Sequence, residues 1–106
     1  MLESKFQAEI ISELRELFPD CVILKNDTTY IQGIPDLTIL YKDRWAMLEV
    51  KKNKLANKQP NQEFFINYLN DLSYASFIYP ENKEEVFYEI QRAFSATRPS
   101  RISRRL

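Results

Sequence analysis

Residues 33–52, "GIPDLTILYKDRWAMLEVKK", carry the clearest structural pattern in the chain. Their two apolar segments, residues 37–41 and 45–51, are separated only by the polar residues 42–44. Apolar segments of this length are typical of β-strands, and so short a connection between them predicts an antiparallel hairpin. We therefore expect a β-hairpin at the centre of the structure.

Charged residues interrupt this hairpin where burial is expected. Glu49 and Lys51 lie two positions apart, so in a strand they project from the same face. Asp36 begins the neighbouring strand and can approach Glu49, although the sequence does not fix the register. Two carboxylates about 4 Å apart at an effective dielectric near 20 repel by about 4 kcal/mol. A cation bound between them would turn this repulsion into attraction.

The chain has no histidine, which excludes His-based acid/base catalysis, His-activated nucleophiles and His-ligated metal sites. Carboxylate oxygens from Asp36 and Glu49, with a backbone carbonyl such as that of Val50, are the hard ligands that Mg²⁺ or Mn²⁺ prefers. A metal held in this way lowers the pKa of a bound water and stabilises charge on a phosphoryl oxygen. Lys51 could orient the attacking hydroxide or stabilise the transition state. These groups suffice for phosphodiester hydrolysis.

The remaining elements follow from hydrophobic periodicity. Helical spacing of apolar residues and short apolar runs predict a helix, a strand, a helix, a strand and a helix at residues 4–18, 21–25, 61–72, 75–79 and 83–94. Ser4 and Gln7 could form a capping box for the first helix. The last strand follows a helical crossover, so we expect it to join the sheet in parallel. The fold class is α/β, with a mixed sheet flanked by helices and an extra C-terminal helix.

Composition indicates one folded domain in 106 residues, of which 44% are hydrophobic. No apolar run approaches the roughly 18 residues needed to cross a bilayer, and the first residues are charged. Cys21 is the only cysteine, so no disulfide can form within the chain. We expect a cytoplasmic protein that makes no membrane contact.

The net charge is zero, but basic residues are clustered. One cluster, close to the predicted hairpin, is expected to contact nucleic-acid phosphates through Lys52, Lys54 and Lys58. A second basic stretch lies in residues 96–106, which lack periodicity and are expected to form a flexible tail. Solvated surfaces without a polyanion partner would give the same two clusters, so this alternative stays open.

The residues Gly33-Ile34-Pro35-Asp36, followed after twelve positions by Glu49-Val50-Lys51, resemble the motif of the PD-(D/E)XK nuclease superfamily. The chain is most similar to the VRR-NUC branch, the virus-type replication-repair nucleases, over about residues 2–92. In that branch a Glu lies early in the first helix and a Gln follows the catalytic lysine, positions that Glu3 and Gln62 match. The resemblance implies a restriction-endonuclease-like α-β-β-β-α-β core, here residues 1–95.

The resemblance implies a metal-dependent DNA endonuclease whose catalytic residues are Asp36, Glu49, Lys51, Gln62 and Glu3, with Mg²⁺ or Mn²⁺ held by Asp36, Glu49 and Val50. One small domain has little room for sequence recognition. We therefore expect a homodimer that cuts branched, flapped or Holliday-junction DNA, in a bacterial or phage-infected cell.

Other interpretations remain open for individual residues. Asp36 could cap a turn after Pro35, and Glu49 with Lys51 could be an exposed ion pair at a sheet edge. Glu9 and Glu13 compete with Glu3, and Gln62 could be an ordinary solvated residue. The aromatic residues Phe64, Phe65, Phe87 and Phe94 are expected in the core.

For the whole chain, two other functions compete with the nuclease. One is a nuclease-like fold that binds nucleic acid or a protein without cutting. The other is a small interaction protein.

Overall fold

The computed structural model describes residues 1–96, so all but the first residue of the predicted tail at 96–106 lie outside the described residues. Within these residues there are three α-helices, four strands and a 3₁₀ turn at Pro80–Asn82. In order, they are α1 (Glu3–Leu17), β1 (Val22–Lys25), β2 (Leu37–Tyr41), β3 (Arg44–Val50), α2 (Pro60–Leu72), β4 (Tyr74–Ile78) and α3 (Lys83–Ser95). No helix in this part of the chain is long and apolar enough to span a bilayer.

The four strands form one mixed sheet in the order β1-β2-β3-β4. The first three strands are antiparallel, and β4, which follows the α2 crossover, pairs with β3 in parallel. The predicted α/β class, the order of elements and the mixed sheet are therefore confirmed. The tight β2–β3 turn includes Lys42 at a φ of 56°, a conformation common in short hairpins.

The main core lies between the sheet and the helices α1 and α3. Leu37, Ile39, Leu48 and Val50 face it from the two central strands, and all four are fully buried. Buried residues at helical spacing complete it from α1 and α3: Phe6, Ile10, Leu14, Val86, Phe87, Ile90 and Phe94. This burial leaves the opposite face of β3 for α2.

A smaller core fills the contact between α2 and the opposite face of the sheet. Its buried members are Met47 of β3, Ile66 of α2 and Ala75 of β4. Since side chains alternate along a strand, Glu49 follows Met47 on this face. Helix α2 thus covers the face from which Glu49, and Lys51 just after the end of β3, project.

The prediction that Phe64 belongs to the core is wrong, because 61% of its surface is exposed, and Phe65 is only half-buried. The predictions for Phe87 and Phe94 are confirmed, since both are buried. Helix α2 has two apolar stripes, and the stripe that contains Ile66 is the one that contacts the sheet.

Candidate active site

Asp36, the residue before β2, lies opposite Glu49 of β3. The register pairs Leu37 with Leu48, and one further step of an antiparallel ladder places Asp36 beside Glu49. The Asp36 carboxylate accepts a hydrogen bond from the backbone N–H of Val50 at 2.9 Å. Asp36 is therefore bound to β3 itself, and the interpretation of this residue as a local turn cap is wrong.

Asn26, at the end of β1, fixes the backbone around Asp36. Its backbone N–H donates to the carbonyl of Asp36 at 2.8 Å, and its amide Nδ2 donates to the carbonyl of Pro35 at 2.8 Å. The same amide contacts the Thr38 hydroxyl at 2.9 Å. This role of Asn26 is not among the predictions made from the sequence. The only feature of the sequence that indicates this role is an amide residue between a strand and a Pro-Asp pair.

Gln62 links Lys51 to Glu49 across the smaller core. The ammonium of Lys51 donates to Gln62 Oε1 at 2.9 Å, and Gln62 Nε2 donates to Glu49 Oε2 at 3.0 Å. Lys51 Nζ also lies 3.8 Å from Glu49 Oε2. Gln62 is thus a partner of both charged groups, and the interpretation of it as an ordinary solvated residue is wrong.

The start of α2 explains how Gln62 is positioned. Pro60 occupies the first turn, and Gln62 Oε1 accepts the backbone N–H of Gln59 at 3.1 Å in a capping box. Gly33 packs against this turn at a φ of +90°, and a Cβ there would meet the backbone carbon of Asn61 at 2.7 Å. Only glycine allows the β1–β2 loop to approach α2 so closely.

Burial dominates the electrostatics of the two acids. Glu49 and Lys51 are 4% and 9% exposed, which rules out an exposed ion pair at a sheet edge. Burial, and then the charge of Asp36, raise the pKa of Glu49 to about 8, against the opposing charge of Lys51. Burial also raises the pKa of Asp36, although its bond from Val50 opposes this. Both carboxyls therefore resist ionisation in the absence of a cation.

Several features of this pair fit a divalent cation. Glu49 Oε1 is buried, and no group of the described residues donates to it a hydrogen bond of ordinary geometry. Because the N–H and C=O of a strand residue point to the same side, the Val50 carbonyl is directed toward the same strand edge as its N–H, which Asp36 accepts. Residues 1–96 contain no group of three or more acidic or Cys side chains close enough to hold a metal. The candidate site is therefore a pair of carboxylates with a carbonyl.

Glu3 lies near the site without contacting it in any hydrogen bond or ion pair that the structure describes. It is the first residue of α1 and is exposed, and its charge makes a minor contribution to raising the pKa of Glu49. The predicted Ser4 cap is wrong, because Leu2 is the N-cap and no side chain caps the helix. Of the competing acids, Glu13 forms an ion pair with Lys83 at 3.0 Å.

The basic residues expected to bind phosphates lie in the loop that follows the site, residues 51–59. Lys52 and Lys54 are exposed there. Lys58 is half-buried, and its ammonium lies 5.3 Å and 5.6 Å from the ring centroids of Phe77 and Tyr79. Lys52 and Lys54 are therefore more accessible to a phosphate than Lys58.

No family model, curated protein sequence or solved structure matches the chain.

Proposed function

We propose that this protein is a metal-dependent DNA endonuclease with a restriction-endonuclease-like fold of the PD-(D/E)XK, VRR-NUC type. The observation that supports it most is the cluster in which Gln62 joins the buried Glu49 to the buried Lys51 by hydrogen bonds. The half-buried Asp36 lies opposite Glu49 and accepts the backbone N–H of Val50. Burying these charges is costly unless a ligand compensates for it. A function that needs the group is the simplest reason for it.

Each residue has a distinct part in the proposed reaction. Asp36, Glu49 and the Val50 carbonyl would hold Mg²⁺ or Mn²⁺, which when bound activates water and neutralises charge on the phosphoryl group. The Lys51 ammonium, already oriented by Gln62, would stabilise negative charge as it develops on the phosphate. Glu3 would act from the edge of the site. Lys52, Lys54 and Lys58 would contact phosphates beside the cut.

The proposal has two further parts. The enzyme selects DNA by its branched structure, and it acts as a homodimer. The described residues form one small domain, which leaves little surface for reading a long sequence. Large exposed apolar side chains along α2 and on β1 and β2 offer a surface for a second copy. Two sites in a dimer could cut the two strands of a flap or a four-way junction.

A second candidate is a binding module with the same fold and no catalysis. Glu49 Oε1, which is buried and has no hydrogen bond of ordinary geometry, favours the enzyme, because a bound cation would satisfy it. If phosphate contacts dominate binding, affinity for DNA should also fall steeply as salt rises. An interaction protein without a nucleic-acid partner would bind DNA weakly at every salt concentration.

The test is a cleavage assay on labelled linear duplex, flap and four-way-junction DNA, with Mg²⁺, Mn²⁺ or EDTA. We expect wild-type protein to cut with metal and not with EDTA, and Glu49→Ala and Lys51→Ala to lose at least about a hundredfold in rate. Glu16→Gln, a change at an exposed acid of α1, should cut like wild type. Equal cleavage by all four proteins would identify a contaminant and end the proposal.

A further inference from the structure

Two loops border the candidate active site at the same end of the sheet. The first, residues 26–36, ends at Asp36, and the second, residues 51–59, begins at Lys51. Gly33 of the first loop packs against Asn61, two residues beyond the end of the second. Both loops therefore leave the sheet at the end that holds the paired carboxylates.

The most exposed large apolar side chain of each loop is Tyr30 in the first and Leu55 in the second. Tyr30 is 83% exposed and Leu55 is 93% exposed, the two highest values among the large hydrophobic residues that the structure describes. We call these two residues the loop tips. Single exposed apolar residues are common on surfaces, but here each belongs to a loop that begins or ends at the proposed site.

Hydrogen bonds hold both loop tips in place. The Asp27 carboxylate accepts the backbone N–H of Thr29 at 2.9 Å and that of Tyr30 at 3.3 Å. Asn53 Oδ1 accepts the backbone N–H of Leu55 at 2.9 Å. Because these turns fix the backbone before any ligand arrives, little further ordering would be needed on binding.

Charge beside the loop tips indicates the kind of ligand. Exposed Lys52 and Lys54 share the second loop with Leu55, and the backbone N–H of Lys54 is held by Glu81 at 3.2 Å. Lysines that contact phosphates, next to an aromatic ring, are the combination that binds unpaired nucleotides. An aliphatic side chain in the same place can wedge between bases and unstack them.

We propose that Tyr30 stacks on an unpaired base and Leu55 wedges into the adjoining step, so that the substrate is DNA with an unstacked nucleotide beside the scissile phosphate. This inference rests on the proposed function and extends it to the choice of substrate. Intact duplex offers Tyr30 no free base. The affinity for intact duplex should therefore gain nothing from the loop tips and should depend on the lysines alone.

Binding measurements in EDTA test the inference without cleavage. Fluorescence anisotropy would compare a gapped duplex and a flap with an intact duplex of the same length and label. We expect Tyr30→Ala to weaken binding to the gapped and flapped DNA about tenfold, and to the duplex less than twofold. Tyr30→Phe should bind like wild type, because the ring is retained. Tyr88→Ala, at a tyrosine 60% exposed on α3, is the matched control and should change neither.

A second measurement isolates Leu55. 2-Aminopurine placed at the branch should brighten when wild-type protein binds and unstacks it, and this increase should be lost in Leu55→Ala. Equal losses on duplex and branched DNA, or no loss at all, would overturn the inference even where wild-type protein cuts DNA. A change in oligomeric state for Tyr30→Ala would assign the loop tips to a second copy and overturn it as well. Failure of wild-type protein to bind any DNA would instead remove the proposed function.

Discussion

Glu49 is the residue at which burial and charge conflict most strongly. Burial and the charge of Asp36 raise its pKa to about 8, so between the ordinary carboxyl pKa and this value the folded state binds a proton that the unfolded state releases. Stability must then fall as pH rises through that range. We expect the free energy of unfolding of metal-free protein to decrease by at least about 1 kcal/mol between pH 5 and pH 8.

Urea denaturation at several pH values measures this slope. Glu49→Gln cannot ionise, so its stability should vary less with pH and should exceed that of wild type at pH 8. Glu16→Gln, at an exposed position, should retain the wild-type slope. If wild type and Glu49→Gln show the same slope between pH 5 and pH 8, the burial of a titrating Glu49 is refuted.

Divalent metal should reverse the effect of pH on the same residue. Metal competes with the proton for the carboxylates, so its affinity rises as Glu49 ionises. At a metal concentration about a hundred times the dissociation constant, the gain in stability is about 2.7 kcal/mol. We expect Mg²⁺ to raise the melting temperature more at pH 8 than at pH 6, and EDTA to restore the metal-free value. A metal-dependent rise in melting temperature that persists in the double variant Glu49→Gln, Asp36→Asn would show that the metal binds elsewhere.

Gln62 is the residue that keeps the lysine and the glutamate together. It accepts from Lys51 and donates to Glu49, so Gln62→Leu leaves two buried charged groups without this partner. We expect a loss of about 1 to 3 kcal/mol in the free energy of unfolding. Cleavage should slow as well, because the ammonium loses its orientation. Asn67→Leu, at an exposed position on the same helix, is the control for both measurements.

At the scale of elements, one glycine joins the β1–β2 loop to α2. In Gly33→Ala the new Cβ would lie 2.7 Å from the backbone of Asn61, at a φ of +90° that alanine rarely adopts. We expect a loss of about 1 to 3 kcal/mol in stability and a larger fractional loss of cleavage, because the loop leads to Asp36 and α2 positions Gln62. Gln32→Ala, at the neighbouring exposed position, should change neither quantity. Wild-type behaviour of Gly33→Ala would show that the close approach is unimportant.

The hairpin and the parallel last strand could be predicted because they depend on local pattern. Three polar residues between two strands permit only a tight turn, and a helical crossover returns a strand in parallel. This local pattern does not predict that Asp36 and Glu49 lie opposite each other. Their register is set by the turn at Lys42. The positive φ of Lys42 could not be predicted from the side chains in the sequence.

The burial of α2 could not be predicted from its periodicity. Apolar residues occupy two stripes of this helix, and either stripe could face a sheet. Tertiary contacts select the stripe of Ile66, because Gln62, on the same stripe, then reaches Lys51 and Glu49. Phe64 is left exposed for that reason. The role of Asn26 could not be predicted for a similar reason. Its partners Pro35 and Asp36 become its neighbours only when β1 pairs with β2.

At the scale of the whole molecule, exposed apolar residues collect on the face of the sheet that α2 covers only in part. Helix α2 packs chiefly on β3 and β4, which leaves β1 and β2 open on that face. The exposed side chains there are Val22, Leu24 and Leu40 of the sheet and Phe64, Tyr68 and Leu72 of α2. Asn61, two turns before Tyr68 on the helix, contacts Gly33 of the β1–β2 loop, so this flank of α2 turns toward the open strands. The six residues form what we call the apolar flank.

The apolar flank would supply the apolar centre of the interface in the proposed homodimer. A half-exposed aromatic side chain offers on the order of 100 Å², and a stable dimer needs about 600 Å² or more from each partner. Because a two-fold interface repeats each change, one substitution alters it twice. We expect light scattering to find a dimer for wild type and a monomer for Tyr68→Lys. Tyr88→Lys, the same change at an exposed tyrosine of α3, should remain dimeric, so monomeric wild type or dimeric Tyr68→Lys would disprove this interface.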